Sequence, residues 1–274
     1  MNPSQLTLSR RSRPPVAEVA AVIGMVAAAA WFVAVRQVAH AAAVEQQEAA
    51  VYRGAELISL LRRLAQERAT QQALLLSEDT RLKAALAVPE VDRLTLLDLL
   101  QDIRRLDEKQ VLGVLSPTGR VRAVLGAPAL EGMDLGTSAA VKSALASAGP
   151  SQGAWLLDER VLEVGVAAVR VDEVPVGLVL TGAQLSDDEL HLAAQGAGVQ
   201  VALVLGGHPA WRSAPLPDEA WASPRTRQVE VNESAHYVVA ATPRTPEHLM
   251  VFAWAVPIGV LLFATLAFWR GGGS

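Results

Sequence analysis

The sequence predicts an α+β fold held between two transmembrane helices. Two observations carry this. Apolar stretches at opposite ends, Val16–Val35 and Leu249–Trp269, each reach the length of about 20 residues that a helix needs to cross a hydrocarbon core. Between them the hydrophobic period changes from helical to alternating near residue 111. A polar segment strung between two spans sits wholly on one side of a membrane, with both termini on the other.

Basic residues near the spans set the direction. Arg10, Arg11 and Arg13 precede the first span and favour a cytoplasmic N-terminus, and Arg36 after it weakens the bias without reversing it. The central segment is then exported, and Arg270 stays inside with the C-terminus. Trp31, Trp254 and Trp269 lie near span ends, where indole rings favour the interface. Glu18 near the inner end of the first span reads as snorkelling or as a later start, against an intramembrane polar contact as the alternative. Cleavage at Ala39-His40-Ala41 would make the first span a signal peptide, but its apolar core of about 17 residues exceeds the usual 7–15. Pro257 kinks the second span, which membranes tolerate.

The expected organisation is a cytoplasmic arm (1–15), a first transmembrane helix (16–36), a stalk helix and membrane-distal domain (37–190), a smaller membrane-proximal module (191–248), a second transmembrane helix (249–269) and a cytoplasmic tail or linker (270–274). Of the 24 basic residues five lie outside 37–248, and of the 28 acidic ones only Glu18 does, which leaves that segment eight charges negative. Nucleic acid wants a basic face, so that partner is not expected. The chain contains no cysteine, which removes disulfides, thiol nucleophiles and Cys-ligated metals.

Proline is absent from residue 16 to 88, and Gly24 and Gly54 are the only glycines there, so one helix is expected to run out of the membrane for several turns. Val44, Val51, Ile58 and Ala65 repeat every seven residues, and Leu57, Leu60, Leu61 and Leu64 thicken that face. The stripe reads either as a core-packing face or as a homodimer seam, with Arg62, Arg63, Glu67 and Arg68 as the solvated side. Ser77 is the expected N-cap of a short helix Asp79–Ala87, stopped by Pro89. A further helix runs from Asp92 to about Asp107 with Leu94, Leu97, Leu100, Ile103 and Leu106 inward.

Strands follow. Val111–Ser116 and Arg120–Gly126 flank the turn Pro117-Thr118-Gly119. A loop (127–137) and a small-residue helix Ser138–Ala148 lead to strands Gly153–Asp158, Val161–Val171 and Val176–Ala183, joined at Glu159-Arg160 and Asp172-Glu173. The order predicts an antiparallel five-stranded sheet with helices packed on it. Helix Ser186–Ala197, strand Val199–Leu205, a Pro/Trp/Ser-rich stretch (209–224) and a hairpin Arg227–Asn232/His236–Ala241 make the smaller unit.

Several of these segments carry a resemblance. Ser77–Leu86 looks like a short helix after a stalk. Val111–Val121 is a strand, glycine turn and strand. Gly132-Met133-Asp134-Leu135 followed by Val141–Leu145 looks like a loop with its pocket helix. Val176–Gly182 looks like a closing strand, and Val199–Val204 like the start of a membrane-proximal module. In their order between two spans they resemble the double Cache (PAS-like) family of bacterial extracytoplasmic sensors. The resemblance implies a periplasmic domain anchored in the inner membrane, a small-molecule ligand bound between the sheet and its covering helix and loop, and a conformational signal passed to an output domain or partner, as in two-component and chemotaxis receptors. No ATP-binding, phosphoacceptor or cyclase motif is present, so the output is expected to reside elsewhere. The Tyr/Arg/Trp/Asp set of the amino-acid-binding subgroup is missing, which leaves the ligand class open.

For the ligand-binding site the candidates are Arg122, to pair with an anionic group, Trp155, to wall a pocket, and Arg170, at a strand end. The competing expectation is solvated arginines and a core tryptophan. The five histidines share no metal-ligand spacing and no nucleophile, Walker or dinucleotide motif occurs, so no metal, no cofactor and no enzyme activity are expected. Asp187, Asp188 and Glu189 read as a helix start rather than a cation site. The alternative to a receptor is an envelope scaffold with a degenerate form of the same fold.

Overall fold

The computed structural model describes residues 15–88, 90–104, 110–147, 149–215, 226–232 and 234–241, with side chains from residue 23 onward. Residues 48–242 form one compact unit, and residues 1–47 with 243–274 form another. The second expected span, Leu249–Trp269, lies outside the described residues.

Helix α1 (Pro15–Ser77) is 63 residues long, as the run without proline predicts. Over residues 23–35 it is apolar and largely exposed, as at Ile23, Met25, Val26 and Trp31. By length and composition, one helix among the described residues is fit to cross a membrane. Within the compact unit, α1 changes character. Val51, Ala55, Ile58, Ala65, Ala69 and Ala73 are buried, while Arg53, Glu56, Arg63, Glu67 and Arg68 face out. Ser77 ends the helix by donating its hydroxyl to the Leu74 carbonyl at 2.7 Å. Thus the N-cap of α2 (Thr80–Ala87) is Asp79 rather than Ser77, because the Asp79 carboxylate accepts from the Arg81 and Leu82 amides.

Helix α3 (Arg93–Arg104) buries Leu96 and Leu100, whereas Leu94, expected to point inward, is exposed. Strands β1 (Val111–Leu115), β2 (Val121–Leu125), β3 (Ser151–Leu157), β4 (Arg160–Val171) and β5 (Val174–Gln184) form the predicted antiparallel sheet in the order β2-β1-β5-β4-β3. Two hairpins close with two residues in the left-handed region, Asp158-Glu159 and Asp172-Glu173, the turn geometry that matches strand twist. The first of these sits one residue earlier than expected.

The sheet is covered on both faces. One carries Leu112, Val114, Ala123, Val169 and Val179 against Leu82 and Leu86 of α2 and Leu96 and Leu100 of α3. Each fully buried leucine there stabilises the fold by about 2 kcal/mol. The other face packs Leu115, Val121, Val164, Val166, Leu178 and Leu180 against a 3-10 turn (Pro128–Leu130) and helix α4 (Ala139–Ala146), whose N-cap is Ser138.

Helix α5 (Asp187–Ala197) starts with a capping box between Ser186 and Glu189 and ends on Gly198 in the left-handed region. A second antiparallel sheet follows: β6 (Val199–Leu205), β7 (His208–Arg212), β8 (Arg227–Asn232) and β9 (Ala235–Ala241), in the order β7-β6-β9-β8. Strand β7 occupies part of the stretch expected to be irregular. Leu190, Ala193 and Ala194 of α5 and Val51, Ala55 and Ile58 of α1 bury one face of this sheet, through Val199, Val201, Leu203, Tyr237 and Val239. Residue 190, the expected boundary between modules, therefore lies inside an element of the second sheet's core.

Candidate functional site

The face under α4 is where a ligand site is expected, and its chemistry follows from strand alternation. Residues Leu162, Val164 and Val166 of β4 and Leu178 and Leu180 of β5 point to it, all buried. Ala140, Val141 and Ala144 of α4 close down on them, with Leu130 and partly buried Leu135 from the preceding segment. Aliphatic side chains fill this layer.

Trp155 on β3 packs against this cluster, partly buried. Arg122 on β2 turns to the opposite side, where its Nη2 donates to the Val91 carbonyl at 2.9 Å, in the connection between α2 and α3. Strands β2 and β3 are the two edges of the sheet, four strand spacings apart, or about 19 Å. Arg170 lies near the far end of β4. Its Nη2 donates to the Leu145 and Ser147 carbonyls at 3.2 and 3.0 Å, and its Nη1 to the Glu173 carbonyl. A guanidinium there satisfies carbonyls at the C-terminal end of α4 and complements the negative end of its dipole. The structure thus places the three candidates in separate surroundings, and both arginines hold backbone carbonyls.

Arg170 also borders a shallow cleft of about 440 Å³ lined by Thr80, Lys83, Ala84, Ala87, Val171 and Asp172. Lys83 pairs there with Glu78 at 2.6 Å. At the rim of α2 the Arg81 guanidinium beside Asp79 holds the Asp79 carboxyl below its ordinary value, with the two helix amides adding to the effect. Both cationic side chains of the cleft are engaged, Lys83 by Glu78 and Arg170 by backbone carbonyls, and Asp172 adds a carboxylate to the lining.

A buried polar constellation lies elsewhere, around Arg62. Arg62, expected on the wet side of α1, is 9% exposed. Its Nε donates to Glu163 Oε1 at 2.5 Å, its Nη1 donates to the Glu230 carbonyl of β8, and Gln66 Nε2 donates to Glu163 Oε2 at 2.6 Å. Glu163 is fully buried. One signal was visible: on β4 it alternates with small residues, Gly165 and Ala167, on the face opposite Leu162 and Val164. Of the heptad stripe, Val51, Ile58 and Ala65 are buried within the chain and Val44 is half-buried, so the core-packing reading holds for the first three.

No family model matches the chain, and no characterised protein matches it by sequence. Solved structures match by shape. The sensor domain of the V. cholerae histidine kinase DctB superposes with a TM-score of 0.51 at 12% identity, over 75% of this chain and 99% of that one. The sensory domain of the Campylobacter jejuni chemoreceptor Tlp3 with isoleucine bound gives 0.46 at 12% identity, over 75% and 94%. A domain of a sensory box/GGDEF family protein from Vibrio parahaemolyticus gives 0.41 at 13%, over 70% and 95%. The chain thus shares the fold of the DctB sensor domain, in keeping with its double Cache resemblance.

Proposed function

We propose that the chain is a membrane-anchored input module: residues 37–248 lie outside the bacterial inner membrane, bind a small molecule and pass a displacement through α1 to an output partner. The supporting observation is the character of α1, exposed and apolar over residues 23–35 and buried against two sheets from Val51 onward. The two-pass topology, with cytoplasmic termini, rests on the hydropathy of the two ends and the N-terminal arginines. A homodimer is left with the outward face of α1, which carries exposed Leu60, Leu64 and Leu74. Of the three candidate ligand residues, Arg170 borders an open cleft.

The aliphatic filling under α4 favours a second reading. Among the described residues the layer is closed by aliphatic side chains, Val141, Ala144, Val164, Val166 and Leu180, which fits a scaffold that docks another protein. Thermal unfolding of the full chain in detergent separates the two. A panel of amino acids, small carboxylates and phosphates should contain a compound that raises the melting temperature by about 5–10 °C at a hundredfold excess over its Kd. A panel that moves nothing sinks the ligand reading and leaves the scaffold.

A further inference from the structure

Helix α1 meets both sheets through small residues. At Gly54 a Cβ would stand 2.7 Å from Val199 Cγ2, so the helix rides directly on the second sheet. At Gly165 a Cβ would stand 2.4 Å from the Ala69 carbonyl carbon, so it rides on the first sheet as well. Ala55, Ala65, Ala69 and Ala73 line the buried side. Toward the first sheet Ala65, Ala69 and Ala73 pack closely without a large knob, whereas toward the second Val51 and Ile58 are buried apolar side chains. The Thr181 hydroxyl donates to the Ala69 carbonyl, yet a helix offers a similar carbonyl one turn away on either side.

The polar constellation is different in kind. Arg62 joins a carboxylate of the first sheet to a carbonyl of the second, and Gln66, one turn on, takes the other carboxylate oxygen. A slide of one turn would bring Ile58 or Gln66 to the place of Arg62. Either leaves the Glu163 carboxylate buried without a cation, which is strongly unfavourable. The net stability of a buried ion pair is nevertheless small, because desolvation offsets attraction, and fixing register is its best-attested use.

We propose that the Arg62–Glu163 pair, with Gln66 and the Glu230 carbonyl, is a register lock that fixes α1 at one axial position on both sheets while adding little to stability. The lock goes beyond the proposed function: it concerns how the helix is held, whether or not a ligand binds.

The absence of cysteine lets spin labels be placed cleanly on the full chain in detergent. Arg53→Cys on α1 and Gln152→Cys on β3, both exposed, report the axial position by pulsed electron resonance. The parent should give one narrow distance. Glu163→Leu alone, which strands the Arg62 guanidinium, should lower the melting temperature by about 10 °C. The double variant Arg62→Met/Glu163→Leu should return to within a few degrees of the parent while its distance broadens or gains a population shifted by about 5 Å, one helical turn. A double variant with the parent's single distance overturns the proposal. So does one as unstable as Glu163→Leu, since the pair would then act as an ordinary stabilising contact, and so does a single variant as stable as the parent.

Discussion

Tyr237 shows how one residue reports its surroundings. It stands on β9, 2% exposed, among Val51, Ile58, Leu190 and Val239. Burial pushes its phenol up to about 12, an effect that the Arg62 charge partly opposes. The unfolded chain ionises this group near its ordinary value of 10, while the folded chain keeps the proton until about 12. Its contribution is therefore complete below pH 10 and lost as the pH climbs to 12, on the order of 2 kcal/mol. Melting temperatures measured from pH 9 to 12 should fall more gently for Tyr237→Phe than for the parent; parallel curves would refute the assignment. At this scale the sequence said least. Arg62 and Arg170 look like solvated charges in a linear reading because their partners are a carboxylate about a hundred residues away and three backbone carbonyls, none of which a pattern search detects.

Among elements, α1 approaches β4 closely. The backbone of Ala69 fills the space where a side chain on residue 165 would begin. Gly165→Ala should therefore destabilise the chain by about 2–3 kcal/mol, read as a lower denaturant midpoint; an unchanged midpoint would show that the helix can lift off without cost. Elements were legible where local chemistry marks them. Two-residue turns gave three strands of the first sheet, and Ser138 and Ser186 announced α4 and α5. Strand β7 escaped because Pro209 argues against a strand, but β7 lies at the edge of its sheet, where a missing amide is tolerated. Leucine occupies both sides of α3, so periodicity does not distinguish buried Leu96 from exposed Leu94.

For the molecule as a whole, the fold class and the five-stranded sheet were readable because helix and strand periods separate cleanly at residue 111. The candidate ligand site was not, since strand order puts Arg122 and Trp155 on opposite edges of the sheet and only the tertiary register reveals it. Topology has a direct test. Single cysteines at His208, exposed beyond β6, and at Ser4 can be probed with an impermeant maleimide on intact spheroplasts. His208→Cys should react at once and Ser4→Cys only after lysis; the reverse pattern would place the domain inside the cell.

The strand order carries a consequence for synthesis. Strand β5, the last of its sheet to be made, inserts between β1 and β4. Until residue 184 has left the ribosome, two hairpins, β1–β2 and β3–β4, each present a bare hydrogen-bonding border with no neighbour. A nascent chain halted before Val174 is thus two sticky halves rather than a partly finished sheet, and the choice between chaperone capture and aggregation falls in the time taken to add the final eleven residues of that strand.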